Sequence, residues 1–128
     1  MTPIAVGVDL VEVDRIRTAI ERTPGLEAKV FTADEIAYSR SARQPWERFA
    51  ARWAAKEAVV KCLGGGVPGV DLREVEVVRC ADGAPSVAVR GEAARRATER
   101  GIDSWLVSMT HTASMAEAVV IALGPPVG

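Results

Sequence analysis

The sequence predicts a small α+β fold of mixed elements, with a mainly antiparallel sheet packed on a long central helix. Two observations carry this. The stretch Trp53-Ala54-Ala55-Lys56-Glu57-Ala58-Val59-Val60-Lys61 is rich in alanine and free of Gly and Pro, which reads as helix. Strand-like and helix-like runs are mixed along the chain, and Asp82-Gly83 falls between two alternating runs as a hairpin signal. Hairpins favour antiparallel pairing over a doubly wound parallel sheet. At 128 residues, one domain spanning 1–128 is expected, large enough for a real core.

Taken in order, Ile4 to Val8 is an apolar strand run in which Gly7 allows a close backbone approach. Asp9 is expected to end that run, and a helix to follow from about Val13 into the 20s until Pro24-Gly25 breaks it. Thr32-Ala33-Asp34-Glu35 has the pattern of a capping box, with Thr32 as N-cap and Glu35 at N3. Pro45 marks the turn before the alanine-rich helix, and Gly64-Gly65-Gly66 stops it. Glu74 to Cys80 and Ser86 to Arg90 are the two hairpin strands, with Val75, Val77, Val87 and Val89 alternating. Glu92 to Glu99 reads as a short charged helix. Trp105 to Thr110 and Glu117 to Leu123 read as two further strands, joined around His111-Thr112.

Composition removes several classes of function. Apolar residues make up 48% and charged residues 26%, as in ordinary soluble globular proteins. The 16 basic and 17 acidic residues give no overall attraction to nucleic acid or to a membrane surface. No apolar run reaches a transmembrane length, and the N-terminus lacks the basic start and apolar core of a signal peptide, so a cytoplasmic location is expected. Cys62 and Cys80 then read as reduced thiols, and with a single histidine they make a zinc site improbable.

Three polar positions stand out against apolar surroundings. Asp9 sits at the end of the first strand run, as a solvated terminus, a helix cap or a ligand. Lys56 lies inside the apolar stripe of Phe49, Trp53, Val60 and Leu63, with Glu57 and Lys61 at i,i+4 spacing on its edge. It reads either as a snorkelling lysine or as charged chemistry carried into a cleft. His111, the sole histidine, is at a strand end, structural or ligand-binding. Two carboxylates are few for an all-protein calcium cage, but they suit magnesium, which keeps waters and takes phosphate oxygens as further ligands. A triple-glycine loop that brings backbone N–H groups to a phosphate is a weak signal on its own.

Three motifs in order then resemble a family. Gly7 to Ile16 resembles the pattern G-x-D-x-x-x-x-x-R-I. Trp53 to Lys61 resembles W/F-x-x-K-E-A-x-x-K, and Ser108-Met109-Thr110-His111-Thr112 resembles S-x-[ST]-H-[TD]. Their order and spacing, from about residue 4 to 123, are similar to the holo-acyl-carrier-protein synthase group of 4′-phosphopantetheinyl transferases. The resemblance implies magnesium-dependent transfer of 4′-phosphopantetheine from coenzyme A to a serine of an apo acyl carrier protein, with release of adenosine 3′,5′-bisphosphate. It implies Asp9 and Glu57 as magnesium ligands, with Glu57 or a metal-bound water as base, and Lys61 facing the pyrophosphate. Lys56, His111 and Thr112 match positions that contact the cofactor. Gly64, Gly65 and Gly66, and the turn containing Gly83 and Pro85, match cofactor loops. Arg15 matches a position that docks the carrier's acidic helix, and Arg22 and Arg48 extend that surface by charge. Ala84 departs from the family, which commonly has a basic residue there. A homotrimer with active sites at the subunit interfaces is also implied, with the subunit that supplies each residue left open, as is the choice between fatty-acid and polyketide carriers.

Overall fold

The computed structural model describes residues 1–65 and 69–126. Strand β1 (Thr2–Glu12) leads directly into helix α1 (Val13–Arg22), followed by α2 (Leu26–Val30), α3 (Ala33–Arg40) and the eighteen-residue α4 (Pro45–Cys62). A 3₁₀ turn (Leu72–Glu74) precedes the hairpin β2 (Val75–Arg79) and β3 (Pro85–Val89). Helix α5 (Gly91–Glu99), β4 (Ser104–His111) and β5 (Met115–Gly124) complete the chain. The α+β expectation holds: β1-β5-β4 form an antiparallel sheet, β2-β3 a separate antiparallel hairpin.

Each element follows from local chemistry. Helix α1 buries Val13, Ile16 and Ile20, the spacing of a single helical face. Helix α3 starts at the expected capping box: the Thr32 hydroxyl accepts from the Glu35 N–H, and Glu35 accepts in turn from the Thr32 N–H. Helix α4 has Pro at its first position, where no N–H partner is needed. The hairpin turns at Gly83, whose φ of 86° suits the residue without a Cβ.

Two features differ from the sequence reading. Strand β1 does not end at Asp9. It stays paired with β5 as far as Glu12 opposite Met115, because Leu10 and Val11 keep the strand alternation going. The five-residue α2, which starts after Gly25 in a left-handed conformation, has no periodicity long enough to reveal it.

The two faces of the main sheet have different fates. Gly7, Asp9 and Val11 on β1, Ala116, Ala118 and Val120 on β5, and Val107, Met109 and His111 on β4 share the face on which α4 lies. The small face of α4 (Ala50, Ala51, Ala54, Ala55, Ala58) is its buried side, more so than the expected stripe of larger residues, in which Trp53 and Val60 are only half-buried. Small side chains let the helix sit close. A Cβ built on Gly7 would stand 2.0 Å from the Ala58 carbonyl oxygen, far inside van der Waals contact. The opposite face exposes Val6 (69%), Leu10 (58%), Leu106 (56%), Val8 (50%) and Val119.

Gly7→Ala must push α4 off β1. The expected cost is about 1–3 kcal/mol or more, read as a lower urea midpoint at fixed protein concentration. An unchanged midpoint would contradict the close seating of the helix.

Candidate active site

The seating of α4 decides what Asp9 meets. Two residues after Gly7, on the same face, Asp9 reaches the side of α4 that carries Glu57 and Lys61. The Lys61 ammonium donates to Asp9 Oδ1 (3.2 Å) and to the Val8 carbonyl (2.7 Å). Asp9 and Glu57 line one cavity of about 380 Å³, together with Leu10, Val11, Arg15, Ile16, Ala19 and Trp53. Burial, and then the negative charge of Asp9, hold the Glu57 carboxyl above the usual carboxylate range, while Lys61 pulls the other way. The structure thus brings Asp9, Glu57, Lys61 and Arg15 together within one chain. Arg22 is exposed at the far end of α1.

His111 is on the other side of α4. It ends β4, one edge of the sheet, whereas Asp9 is on β1, the opposite edge, and α4 lies across the face between them. His111 lines a second cleft of about 330 Å³ with Tyr38, Arg48, Ala51, Arg52, Arg79, Gly83, Pro85 and Met109. Its Nδ1 is 3.2 Å from the Glu47 carboxylate. Three guanidinium carbons stand over the Tyr38 ring: Arg48 at 4.1 Å, Arg52 at 4.3 Å and Arg79 at 4.5 Å from the centroid. Arg48 also donates to the Tyr38 carbonyl and the Ser41 hydroxyl, and Arg79 to the Tyr38 hydroxyl. Arg52 is 5% exposed and, among the described residues, makes no direct salt bridge, although the Glu35 charge acts on it. Burial pulls its pKa below the ordinary arginine value, a cost that a bound anion would relieve. The cleft is built to receive negative charge.

Several expectations are corrected. Lys56 does not reach a cofactor, nor does it snorkel. It is fully buried, with its ammonium 2.7 Å from Glu35 Oε1 and donating to the Leu72 (3.0 Å) and Val75 carbonyls. Arg48 does not extend the Arg15 surface, because it lies in the cleft across α4. Gly64 and Gly65 donate their N–H groups to the Lys61 and Val60 carbonyls, so those N–H groups close the helix and are not free for a phosphate. Gly66 lies outside the described residues. The Thr112 hydroxyl accepts from the Ser114 and Met115 N–H groups and fixes the β4–β5 turn beside His111. The expected turn at Gly83 and Pro85 does line the His111 cleft, and the Arg79 guanidinium stands beside Gly83, one residue before Ala84.

Tyr38, Arg52 and Arg79 escaped the sequence reading. A signal existed for Arg52. Arg48 and Arg52 form a like-charged i,i+4 pair, which is unfavourable on a helix without an anion to bind. Another cavity, of about 520 Å³, between α2, α3 and the 3₁₀ turn has its arginines already paired, Arg73 with Asp71 and Arg90 with Glu76.

Residues 5–121 match the model of the 4′-phosphopantetheinyl transferase superfamily. The chain belongs to that superfamily. It is 47% identical over 123 residues to a holo-[acyl-carrier-protein] synthase of Desulforudis audaxviator, covering 95% of this chain and 94% of that protein. Among solved structures it superimposes on the Neisseria meningitidis holo-[acyl-carrier-protein] synthase with a TM-score of 0.82 at 29% identity, over 95% of this chain and 99% of that one. A synthase–coenzyme A complex from Chronobacterium ammoniagenes superimposes with a TM-score of 0.81 at 29% identity, over 94% and 97% of the two chains. The transferase motifs are thus carried by both sides of α4.

Asp9→Asn removes one of the two causes that raise the Glu57 pKa and leaves the larger, burial. In metal-free protein, the Glu57 carboxyl carbon followed by NMR is expected to titrate at lower pH than in the parent, yet still above an ordinary glutamate. No movement, or movement to higher pH, would show that Asp9 and Glu57 do not share a field.

Proposed function

We propose that this chain is a holo-[acyl-carrier-protein] synthase, acting as one domain over residues 1–128. It transfers 4′-phosphopantetheine from coenzyme A to a serine of an apo acyl carrier protein. The observation that carries this reading is the cavity in which Asp9 and Glu57 converge beside Lys61, in a chain of this superfamily. Its described lining holds no Ser, Cys or Thr, which fits direct attack by the carrier's serine without a covalent enzyme intermediate.

The donor set fits magnesium. Among the described residues no three His, Cys, Asp or Glu side chains cluster, and two carboxylates in an open cavity suit an ion that completes its shell with waters and phosphate oxygens. Asp9 and Glu57 would hold it, and it would neutralise charge on the pyrophosphate oxygens. In the reaction the serine oxygen bonds to the phosphorus that bears pantetheine, and the bridging P–O bond to the adenosine phosphate breaks. The serine proton passes to Glu57 or to a water beside it, and adenosine 3′,5′-bisphosphate leaves. Lys61 spends two donors on Asp9 and Val8, which leaves one for a pyrophosphate oxygen. The arginine cleft, with His111, takes the nucleotide end and its 3′-phosphate. Arg15, on the rim of the carboxylate cavity, meets the carrier's acidic helix, with Arg22 further along α1.

The two halves lie on opposite flanks of α4. Arg52 and Glu57 are about 140° apart around the helix, and Arg48 is roughly 13 Å of rise from Glu57. This separation supports a site in which one coenzyme A spans the carboxylates of one chain and the arginine cleft of another. The bare sheet face with Val6, Val8, Leu10, Leu106 and Val119 supports a homotrimer, since a ring of three copies covers three such faces. The unpaired thiols of Cys62 and Cys80 fit a cytoplasmic setting.

The test is mass-detected transfer to a panel of apo carriers. The carrier is expected to gain one phosphopantetheine, and failure with every carrier would reject the reading. Arg52→Leu should weaken coenzyme A binding by about 10- to 100-fold, the worth of a hydrogen bond to a charged group, and dephospho-coenzyme A binding far less. Equal losses on both ligands would move the 3′-phosphate elsewhere.

A further inference from the structure

The buried Glu35–Lys56 pair lines neither the carboxylate cavity nor the arginine cleft; Glu35, 2% exposed, lines a smaller cavity of about 230 Å³ that shares Tyr38, Arg52 and Arg79 with the cleft. The pair nevertheless ties together the three elements that carry Tyr38, Arg52 and Arg79: α3, α4 and β2. The Lys56 ammonium on α4 binds Glu35 Oε1 and the carbonyls of Leu72 in the 3₁₀ turn and Val75 in β2, with the Phe31 ring at 5.5 Å. Glu35 on α3 also accepts from the Thr32 N–H (2.9 Å) and, through Oε2, from the Val77 N–H of β2 (2.9 Å). The cleft residues hang one step from these anchors. Tyr38 is three residues after Glu35 on α3. Arg52 is one turn before Lys56 on α4. Arg79 is two residues after Val77, on the same side of β2.

We propose that the Glu35–Lys56 pair is a positioning device for coenzyme A: it fixes Tyr38, Arg52 and Arg79 at the spacing that receives the nucleotide phosphate, and itself touches no substrate. The inference rests on the arginine cleft being the coenzyme A site. Its physical need is plain. Three guanidinium groups around one ring repel one another until an anion arrives, so their mounts must resist splaying. An apolar contact would bury as much surface, but it would not fix rotation. The pair specifies four hydrogen-bond directions, and the negative charge of Glu35 also steadies Arg52 from behind.

Lys56→Met alone strands a buried carboxylate and is expected to fold poorly. The informative variants are Glu35→Gln, Glu35→Gln/Lys56→Met, and Arg52→Leu as the control for the cleft itself. Calorimetric affinities for coenzyme A and for apo carrier are measured beside kcat at saturating coenzyme A. Both pair variants are expected to lose at least about tenfold in coenzyme A affinity. Carrier affinity is expected to stay within about twofold, and kcat within about threefold, since the carboxylate cavity is held separately. A general loosening of the fold would lower both affinities together, and that result would overturn the proposal. So would unchanged coenzyme A affinity in the pair variants. Loss in the double variant with none in Glu35→Gln would also overturn it, because Lys56 would then act on substrate directly. Arg52→Leu separates the two readings: if it leaves coenzyme A binding intact the cleft assignment fails, and if it alone weakens binding only the positioning role fails.

Discussion

Helix α4 lies so close to β1 that one added carbon at Gly7 would meet the Ala58 carbonyl oxygen at 2.0 Å. The rest of the molecule depends on that contact. It brings Glu57 and Lys61 within reach of Asp9, two residues along the same strand face. It also seats a face of alanines on the sheet. The positions next to that face then fall either in the core, as Lys56 does, or along one of the helix's two flanks. A lysine so placed cannot stay charged without compensation, and Glu35 with two backbone carbonyls provides it.

The same helix keeps apart what it organises. Asp9 and His111 share one face of the sheet but stand on its opposite edges, with α4 lying between. One flank carries carboxylates and a lysine with a donor to spare. The other carries three guanidinium groups and an imidazole, around a ring and a glycine turn. Each flank lacks what the other has: the first offers two carboxylates, and the second offers guanidinium groups. The uncovered apolar side of the sheet gives a physical reason for copies of the chain to associate, and association is what would place unlike flanks together.

Much of this was legible in the residues. The alanine-rich helix, the Asp82-Gly83 hairpin and the Thr32–Glu35 capping box each depend on local chemistry, and each appears where local chemistry puts it. The convergence of Asp9 and Glu57 was legible only through the motifs, because their meeting is a long-range consequence of how α4 sits. The buried pairing of Lys56 is hidden for the same reason: its partner Glu35 is distant in sequence, and Glu35 already has a local role as a capping residue. Arg48 was placed by charge alone, and charge does not say which flank of a helix a residue occupies. Arg52 and Arg79 gained meaning only once Tyr38, from a third element, stood between them.

The proposed sharing of one reaction site between two chains is tested most directly by complementation. Assayed at coenzyme A well below saturation for the weakened cleft, Glu57→Gln and Arg52→Leu are each expected to show little activity. When the two proteins are unfolded together in equal amounts and refolded, random assembly pairs an intact carboxylate flank with an intact arginine cleft at roughly a quarter of the sites. The account predicts that transferase activity returns to about that fraction of the parent. If activity stays at the level of the separate variants while mixed trimers form, each chain completes its own site and the account is wrong.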